Sequence, residues 1–193
     1  NPLMWALKEN NTDIAKLLIK KRANLNVRNV NGWSALIIAV YNGKKDIAKI
    51  LIEKGVALNI VEEWTGKSAL LWAIERDDTD TAKLLINEGA NLNIRDFNAR
   101  SALIRAISKN NTEIAKLLIE NEADLNVRDE NGGSPFMWAI SKENAVIAEL
   151  LIEKGADLKV RRNQACNAFR WGKKIGNETI RKLMEKKGAC KII

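Results

Sequence analysis

A period of 33 or 34 residues runs through the chain and constrains its fold more than any other feature. The segment 101–129, SALIRAISKNNTEIAKLLIENEADLNVRD, restates the segment 34–60, SALIIAVYNGKKDIAKILIEKGVALNI. The equivalent serines that mark the period are Ser34, Ser68, Ser101 and Ser134. A fixed period of this length is typical of stacked supersecondary units.

Each unit is predicted to contain two short amphipathic helices. In the fourth copy Leu103, Ala106 and Ile107 fall at i, i+3 and i+4, and the same spacing returns after Thr112. Helices of about ten residues are marginal alone, and one pair cannot bury its own apolar face. The core must therefore form between neighbouring units.

Residues that favour turns occur at the ends of the second helices and between the units. Glycines at Gly55, Gly89 and Gly155 are predicted to end the second helices in a left-handed conformation. The dipeptides Asn31-Gly32 and Asn131-Gly132 favour tight hairpin turns between units.

These residues resemble the ankyrin repeat family, whose unit is a β-turn and two helices with a T-P-L-H-x-A start. Ser134-Pro135-Phe136-Met137-Trp138-Ala139 is similar to that start, and Gly89-Ala90-Asn91-Leu92-Asn93 is similar to the family's G-A-D-x-N close. The resemblance implies an all-α fold, an ankyrin-type solenoid of about six helix-turn-helix repeats with short β-hairpin or loop tips.

One domain is predicted over residues 1–193. Its repeats are 1–28 (partial), 29–62, 63–95, 96–128, 129–161 and 162–193, the last a C-terminal cap. Because the first repeat lacks its leading turn, we expect the chain to be cut from a longer protein.

Two departures from the family pattern stand out. Its first-helix His is replaced by an apolar residue in the first five copies: Met4, Ile37, Leu71, Ile104 and Met137. Arg22 and Glu122 stand where Gly usually ends the second helix, so the left-handed cap is in doubt there.

Several classes of function are disfavoured by composition. The chain has no His, which removes His-based acid-base chemistry, catalytic triads and imidazole metal sites. Gly66-Lys67-Ser68 resembles the end of a phosphate-binding loop, but Val61 stands where its first Gly is required. We therefore predict no enzymatic activity, no cofactor and no metal site.

Cellular context is predicted from Cys usage and hydropathy. Cys166 and Cys190 are expected to be free thiols in a reducing compartment. No signal peptide or apolar run long enough for a transmembrane helix is visible. An intracellular, cytoplasmic, monomeric protein is the resulting expectation.

The net charge of +8 is concentrated at one end. Residues 159–193 contain eleven basic and two acidic residues, and the rest of the chain is nearly neutral. Nucleic acid or anionic lipid binding by this segment is an alternative function, carried by Lys159, Arg161, Arg162, Arg170, Lys173, Lys174, Arg181, Lys182, Lys186 and Lys187.

The leading hypothesis is a non-catalytic protein–protein interaction module. The family resemblance implies a concave recognition surface made of hairpin tips and first helices, and aromatic and Arg side chains are common interface anchors. The candidate partner-binding residues are Arg28, Trp33, Tyr41, Trp64, Arg95, Phe97, Arg100 and Arg128. A further alternative is a regulatory or targeting module of a larger enzyme.

Two alternatives concern packing. Trp33, Trp64 and Phe97 could instead cover one another, and part of the Arg column could form internal ion pairs of little energetic weight. The shared position of Trp5, Trp72, Trp138 and Trp171 predicts that these four pack inward. Arg105, at the same position, is expected to snorkel to solvent, pair with an acid or contact a ligand.

Overall fold

The computed structural model describes residues 1–21 and 23–158. Within these residues the chain forms ten α-helices and no sheet. They are α1 (Pro2–Lys8), α2 (Thr12–Lys20), α3 (Ala35–Tyr41), α4 (Lys45–Glu53), α5 (Ala69–Glu75), α6 (Thr79–Asn87), α7 (Ala102–Ser108), α8 (Thr112–Glu120), α9 (Pro135–Ser141) and α10 (Ala145–Glu153). The predicted all-α fold is confirmed.

Some sequence predictions lie outside the described residues. They concern Arg22, the thiols Cys166 and Cys190, Trp171, the basic segment from Lys159 onward and the sixth repeat at 162–193.

The chain divides into two compact units, Asn1–Ala102 and Leu103–Ile193. In the first unit α1 packs on α2, α3 on α4 and α5 on α6, so each repeat is a helical hairpin. First helices also pack on first helices and second helices on second helices, which buries the side chains between repeats. In the second unit α9 packs on α10, and α8 packs on α10.

The core follows the predicted periodicity. Alanines such as Ala39 and Ala48 are fully buried, which allows close helix approach, and Leu51 and Leu85 fill the space between second helices. Full burial of a Leu side chain is worth about 1.5 to 3 kcal/mol. Packing between repeats is therefore the main source of stability for these short helices.

Most helices begin at a side-chain cap. Ser34, Ser68 and Ser134 accept a hydrogen bond from the backbone N–H three residues ahead, at the starts of α3, α5 and α9. Asn11, Asp78, Asn111 and Asn144 do the same for second helices. Lys44 differs from these residues, because its side chain makes no capping hydrogen bond to α4.

The three glycines predicted to end second helices are left-handed: Gly55, Gly89 and Gly155. Gly55 has φ +70°, and Glu122 adopts the same region with φ +62° although it is not Gly. The chain thus leaves α8 with the same backbone geometry as it leaves α4, although the Cβ of Glu122 disfavours the left-handed conformation by about 1–2 kcal/mol.

Asparagine side chains tie consecutive repeats together. Asn26 Oδ1 accepts from the N–H of Ala57 at 2.8 Å, and Asn59 Oδ1 accepts from the N–H of Asn91 at 2.8 Å, both in the first unit. In the second unit Asn126 Oδ1 accepts from Asp157 N–H at 2.7 Å. These bonds fix the extended segment of one repeat on that of the next.

None of the helices described is both long and apolar enough to cross a membrane.

Candidate interaction surface

Four aromatic side chains of the first unit form one cluster, which we call the aromatic cluster: Trp33, Tyr41, Trp64 and Trp72. Trp33 lies at its centre, with its ring centroid 4.9 Å from Tyr41, 5.9 Å from Trp72 and 6.3 Å from Trp64. Tyr41 also meets Trp72 at 4.9 Å with an interplanar angle of 84°. Edge-to-face contacts of this kind add about 0.5–1.5 kcal/mol each beyond area burial.

Different elements supply the four rings. Trp33 and Trp64 come from the loops before α3 and α5, Tyr41 ends α3, and Trp72 lies in the middle of α5. Because α3 packs directly on α5, residues from two repeats meet in one patch.

The cluster differs from a packed core. The indole N–H groups of Trp33 and Trp72 are buried and have no hydrogen-bond partner within the described part of the chain. Buried donors without partners are rare in protein interiors. Trp64, at the other extreme, is 65% exposed.

Two cations of the same unit lie on the cluster. Lys67 Nζ lies 4.2 Å from the centroid of the Trp72 ring and 3.9 Å from a carboxylate oxygen of Glu75. The guanidinium carbon of Arg76 lies 5.5 Å from the centroid of the Tyr41 ring. Cation–π contacts thus already use one face of Trp72 and one of Tyr41.

Trp64 lies in a loop that is one residue longer than its counterparts. The loop bridge joins Arg28 to Ser34 in one repeat but Val61 to Ser68 in the next. The extra residue therefore lies between Val61 and Ser68, inside the loop.

Glu62 holds this wider loop in place. Its carboxylate accepts hydrogen bonds from the N–H of Trp64 at 2.7 Å, from the N–H groups of Thr65 and Lys67, and from the Thr65 hydroxyl. In the shorter loops Asn29, Asp96 and Asp129 accept from the N–H groups two and four residues ahead. The longer Glu side chain suits the longer loop.

The protonation of Glu62 reflects this environment. Only 1% of Glu62 is exposed to solvent, and burial alone would raise the pKa of its carboxyl group. The hydrogen bonds from Thr65, Trp64 and Lys67 outweigh burial and hold the pKa of Glu62 below its usual value. Glu62 is therefore a charged, buried anchor of the loop that carries Trp64.

A groove of about 340 Å³ opens beside the aromatic cluster. It is lined by Trp5 of α1, by Ile38 and Tyr41 of α3, and by Trp64 of the loop before α5. The full lining is Asn1, Met4, Trp5, Lys8, Asn29, Asn31, Trp33, Ile38, Tyr41, Asn42 and Trp64. Three of the eight predicted partner-binding residues, Trp33, Tyr41 and Trp64, thus share one groove.

The predicted Arg residues make contacts to their own loops. Arg28 Nε donates to Gly32 O at 3.2 Å, Arg95 Nε to Ala99 O at 3.0 Å, and Arg128 Nη1 to Gly132 O at 3.1 Å. The i to i+4 spacing repeats in all three, so these guanidinium groups close the loops. The recurrence of Arg four residues before the left-handed loop residue is a sequence signal for this role.

Arg28 also crosses to the next repeat. Its Nη2 donates to Val61 O at 2.9 Å and lies 4.0 Å from a carboxylate oxygen of Glu63. The expected internal ion pairing is therefore present at Arg28.

Phe97 and Arg100 lie in the next loop. Phe97 is 67% exposed, donates its N–H to Thr65 O at 2.9 Å and places its ring against Gly66, but it makes no ring contact with the aromatic cluster. The backbone N–H of Arg100 donates to Asp96 Oδ1 at 2.9 Å. Neither residue lines the groove.

The predicted inward packing of first-helix tryptophans is wrong for Trp5, which is 60% exposed. Met4 and Ala6 on either side are buried, and a helical step of about 100° turns the residue between them outward. Trp72 and Trp138 are half-buried, and Trp138 Nε1 donates to Asp129 Oδ2 at 2.8 Å. Sequence reasoning therefore missed Trp5 and Trp72 as surface residues.

Arg105 does not snorkel to solvent, because only 7% of the residue is exposed. It lies in α7, whose other residues up to Ile107 are also buried. Of the three alternatives for Arg105, the solvent-exposed one is therefore wrong.

Metal binding has no structural basis in the part of the chain that is described. Among residues 1–21 and 23–158, no group of three or more His, Cys, Asp or Glu side chains could hold a metal ion. The cluster at Asp77, Asp78 and Asp80 serves α6 instead, with Asp78 as its N-cap and Asp80 in its first turn.

Comparison with known protein families gives one match. The family model for ankyrin repeats (three copies) matches residues 3–96 and 70–162, which together cover most of the chain. No curated protein matches the chain.

Proposed function

The chain belongs to the ankyrin repeat family, as its sequence predicts, and on that premise we propose that it binds a segment of a partner protein in the groove lined by Trp5 and Trp64. Ankyrin repeats are generally protein–protein interaction modules. The proposal adds a location, in the first unit, and a mode of binding, in which the module holds its partner without acting on it chemically.

The observation that carries the proposal is the exposure of two tryptophans that line one groove. Trp5 is 60% and Trp64 is 65% exposed, and Trp33 and Tyr41 line the same groove. Isolated apolar side chains on a surface are ordinary, but several that converge on one concavity are characteristic of an interaction site.

The groove is also ordered before binding. Ring contacts hold Trp33 against Tyr41 and Trp64, and hydrogen bonds to Glu62 hold the loop that carries Trp64. A partner would therefore order few side chains on binding, which reduces the entropic penalty of association.

The test compares partner capture by three forms of the full chain. Trp5→Ala/Trp64→Ala removes the two exposed rings and leaves the half-buried Trp33 in place. Phe97→Ala is the matched control, because it removes an equally exposed aromatic ring outside the groove. Proteins captured from a lysate by the wild type would be purified and their affinity measured by titration calorimetry.

We expect the double variant to bind such a partner at least about tenfold more weakly, since truncated aromatic anchors typically lower affinity by that much or more. Phe97→Ala should bind as the wild type does. Equal binding by all three forms would rule out the groove, and a loss with Phe97→Ala alone would move the site to the next loop.

A further inference from the structure

The groove contains one charged side chain, Lys8, among the described residues that line it. Its other polar groups include the hydroxyl of Tyr41 and the amides of Asn1, Asn29, Asn31 and Asn42. Asn29 Oδ1 already accepts two loop N–H groups, and Asn42 Nδ2 donates to Leu7 O. The groove is therefore an aromatic and apolar trough with a positive charge on its wall.

The cations of the groove and of the aromatic cluster differ in their ion pairing. Arg28 lies 4.0 Å from Glu63, and Lys67 lies 3.9 Å from Glu75, so these two cations have acidic neighbours. Lys8 and Arg76 have no ion-pair partner in the described part of the chain. Lys8 lines the groove, and Arg76 lies against the ring of Tyr41, which also lines it.

A cationic occupant is disfavoured by the same arrangement. Arg76 already approaches the ring of Tyr41, one of the aromatic rings in the lining. A guest Lys or Arg would also meet Lys8 and Arg76 without a compensating carboxylate in the lining.

We propose that the groove accepts one large apolar side chain from an acidic peptide segment, whose carboxylates pair with Lys8 and Arg76. This inference rests on the proposed function and specifies the chemistry of the partner. Trp5, Trp33 and Trp64 contact the apolar side chain, and the two cations select acidic neighbours on the peptide. Opposite charge at the rim of an interface contributes to selectivity and to the rate of association.

The groove volume agrees with a guest of this size. At about 340 Å³ it lies at the lower end of the range of about 300–1,000 Å³ for ligand pockets. It suits one large side chain better than a folded domain surface.

The test is a selection of random peptides displayed on phage against the full chain. We expect the selected peptides to share a large apolar residue with Asp or Glu close to it in sequence. Synthetic fluorescent copies of them would then be titrated against variants by anisotropy.

Two double charge-reversal variants change the net charge of the protein by the same amount, and comparing them shows whether peptide binding depends on the groove. Lys8→Glu/Arg76→Glu alters the groove, and Lys16→Glu/Lys20→Glu alters exposed positions of α2 outside it. The first pair should weaken binding at least about tenfold, and the second should leave it nearly unchanged. The control is needed because the basic segment at 159–193 attracts acidic peptides without using the groove.

Other outcomes overturn the inference in distinguishable ways. Selected peptides that are basic, or that lack an acidic bias, yet bind less well to Trp5→Ala/Trp64→Ala would refute the acidic partner and leave the groove as the binding site. Acidic peptides weakened equally by both charge reversals would place their binding elsewhere. If no peptide is selected whose binding depends on Trp5 and Trp64, the inference falls, and partner capture decides the proposed function separately.

Discussion

The ring of Trp33 meets the ring of Tyr41 edge to face, with centroids 4.9 Å apart and planes at 89°. The contact joins a loop to the last residue of the helix that follows it. It fixes Trp33 at the centre of the aromatic cluster, where three other rings contact it.

A double-mutant cycle of Trp33→Leu and Tyr41→Leu should therefore show coupling. We expect an interaction free energy of about 0.5–1.5 kcal/mol from urea denaturation, because each single variant already loses the ring contact. Trp33→Leu combined with Phe97→Leu is the control cycle. In it the changes in unfolding free energy of the two single variants should add. Additivity in the Trp33–Tyr41 cycle would show that the contact contributes no stability.

Lys44 offers a direct test of helix capping. Its backbone has φ −85° and ψ 68°, close to the φ −88° and ψ 84° of the capping residue Asn11, but its side chain cannot accept the N–H of α4. Lys44→Asn should raise the free energy of unfolding by about 1 kcal/mol. Lys44→Gln removes the same charge without a suitable cap, so equal gains in the two variants would indicate a charge effect instead.

The left-handed ends of second helices predict opposite effects at two equivalent positions. Glu122→Gly should stabilise the fold by about 0.5–1 kcal/mol, because it relieves a strained φ of +62°. Gly55→Ala should destabilise it by a similar amount, since the new Cβ meets no atom within 4 Å and only the φ of +70° opposes it.

Glu120→Gly is the control for this pair, because Glu120 is the last residue of α8 and has helical geometry. It should lower stability by about 0.5–1 kcal/mol. Stabilisation by both Gly variants would mean that loss of the acidic charge, not the backbone conformation, is responsible. Thermal unfolding of the four proteins would settle the comparison.

Glu62 predicts a pH-dependent stability. Because the folded pKa lies below its ordinary value of 4.5, ionised Glu62 stabilises the fold above that pH and loses this effect as the pH falls through the folded pKa. Glu62→Gln should lower the free energy of unfolding by about 1–2 kcal/mol at neutral pH, and the difference from the wild type should narrow below pH 4.5.

Glu63→Gln removes the same charge from an exposed neighbour. It should change the free energy of unfolding only slightly, and this difference from the wild type should not depend on pH. Urea denaturation between acidic and neutral pH measures both variants. If the difference in unfolding free energy between Glu62→Gln and the wild type stayed constant with pH, ionisation of Glu62 would not be what stabilises the loop.

The repeat period was sufficient to predict the helical hairpins and their buried face. Leu103, Ala106 and Ile107, which defined the period, are all fully buried in α7. Helix propensity and the spacing of apolar residues are local properties, so they can be recognised in a single sequence. The serine caps are local for the same reason.

The candidate site was predictable only in part, because it depends on contacts between repeats. Trp33 and Trp64 could be recognised as lying off the core period, but their contact with each other and the approach of Trp72 arise from the packing of α3 on α5. Trp5 was assigned inward because it shares its repeat position with Trp72, Trp138 and Trp171. In α1, however, the residue at this position projects into the groove.

The Arg residues illustrate a different limit. Arg28, Arg95 and Arg128 were chosen as interface anchors from residue type, which indicates what a side chain can bind but not what it already binds. Each closes its own loop through a carbonyl four residues ahead. Local spacing was a better guide to their role than residue type.

The additional residue in the loop from Glu62 to Ser68 bears on how repeat proteins are engineered. A consensus sequence built from the four loops would shorten this one and replace Glu62 by Asp or Asn, the residues that hold the others. Such a protein would retain the helices and their packing but lose the support of Trp64. Idealisation would then produce a stable scaffold without a supported Trp64, so an engineer who transfers the groove to another array should transfer this loop together with the other lining residues.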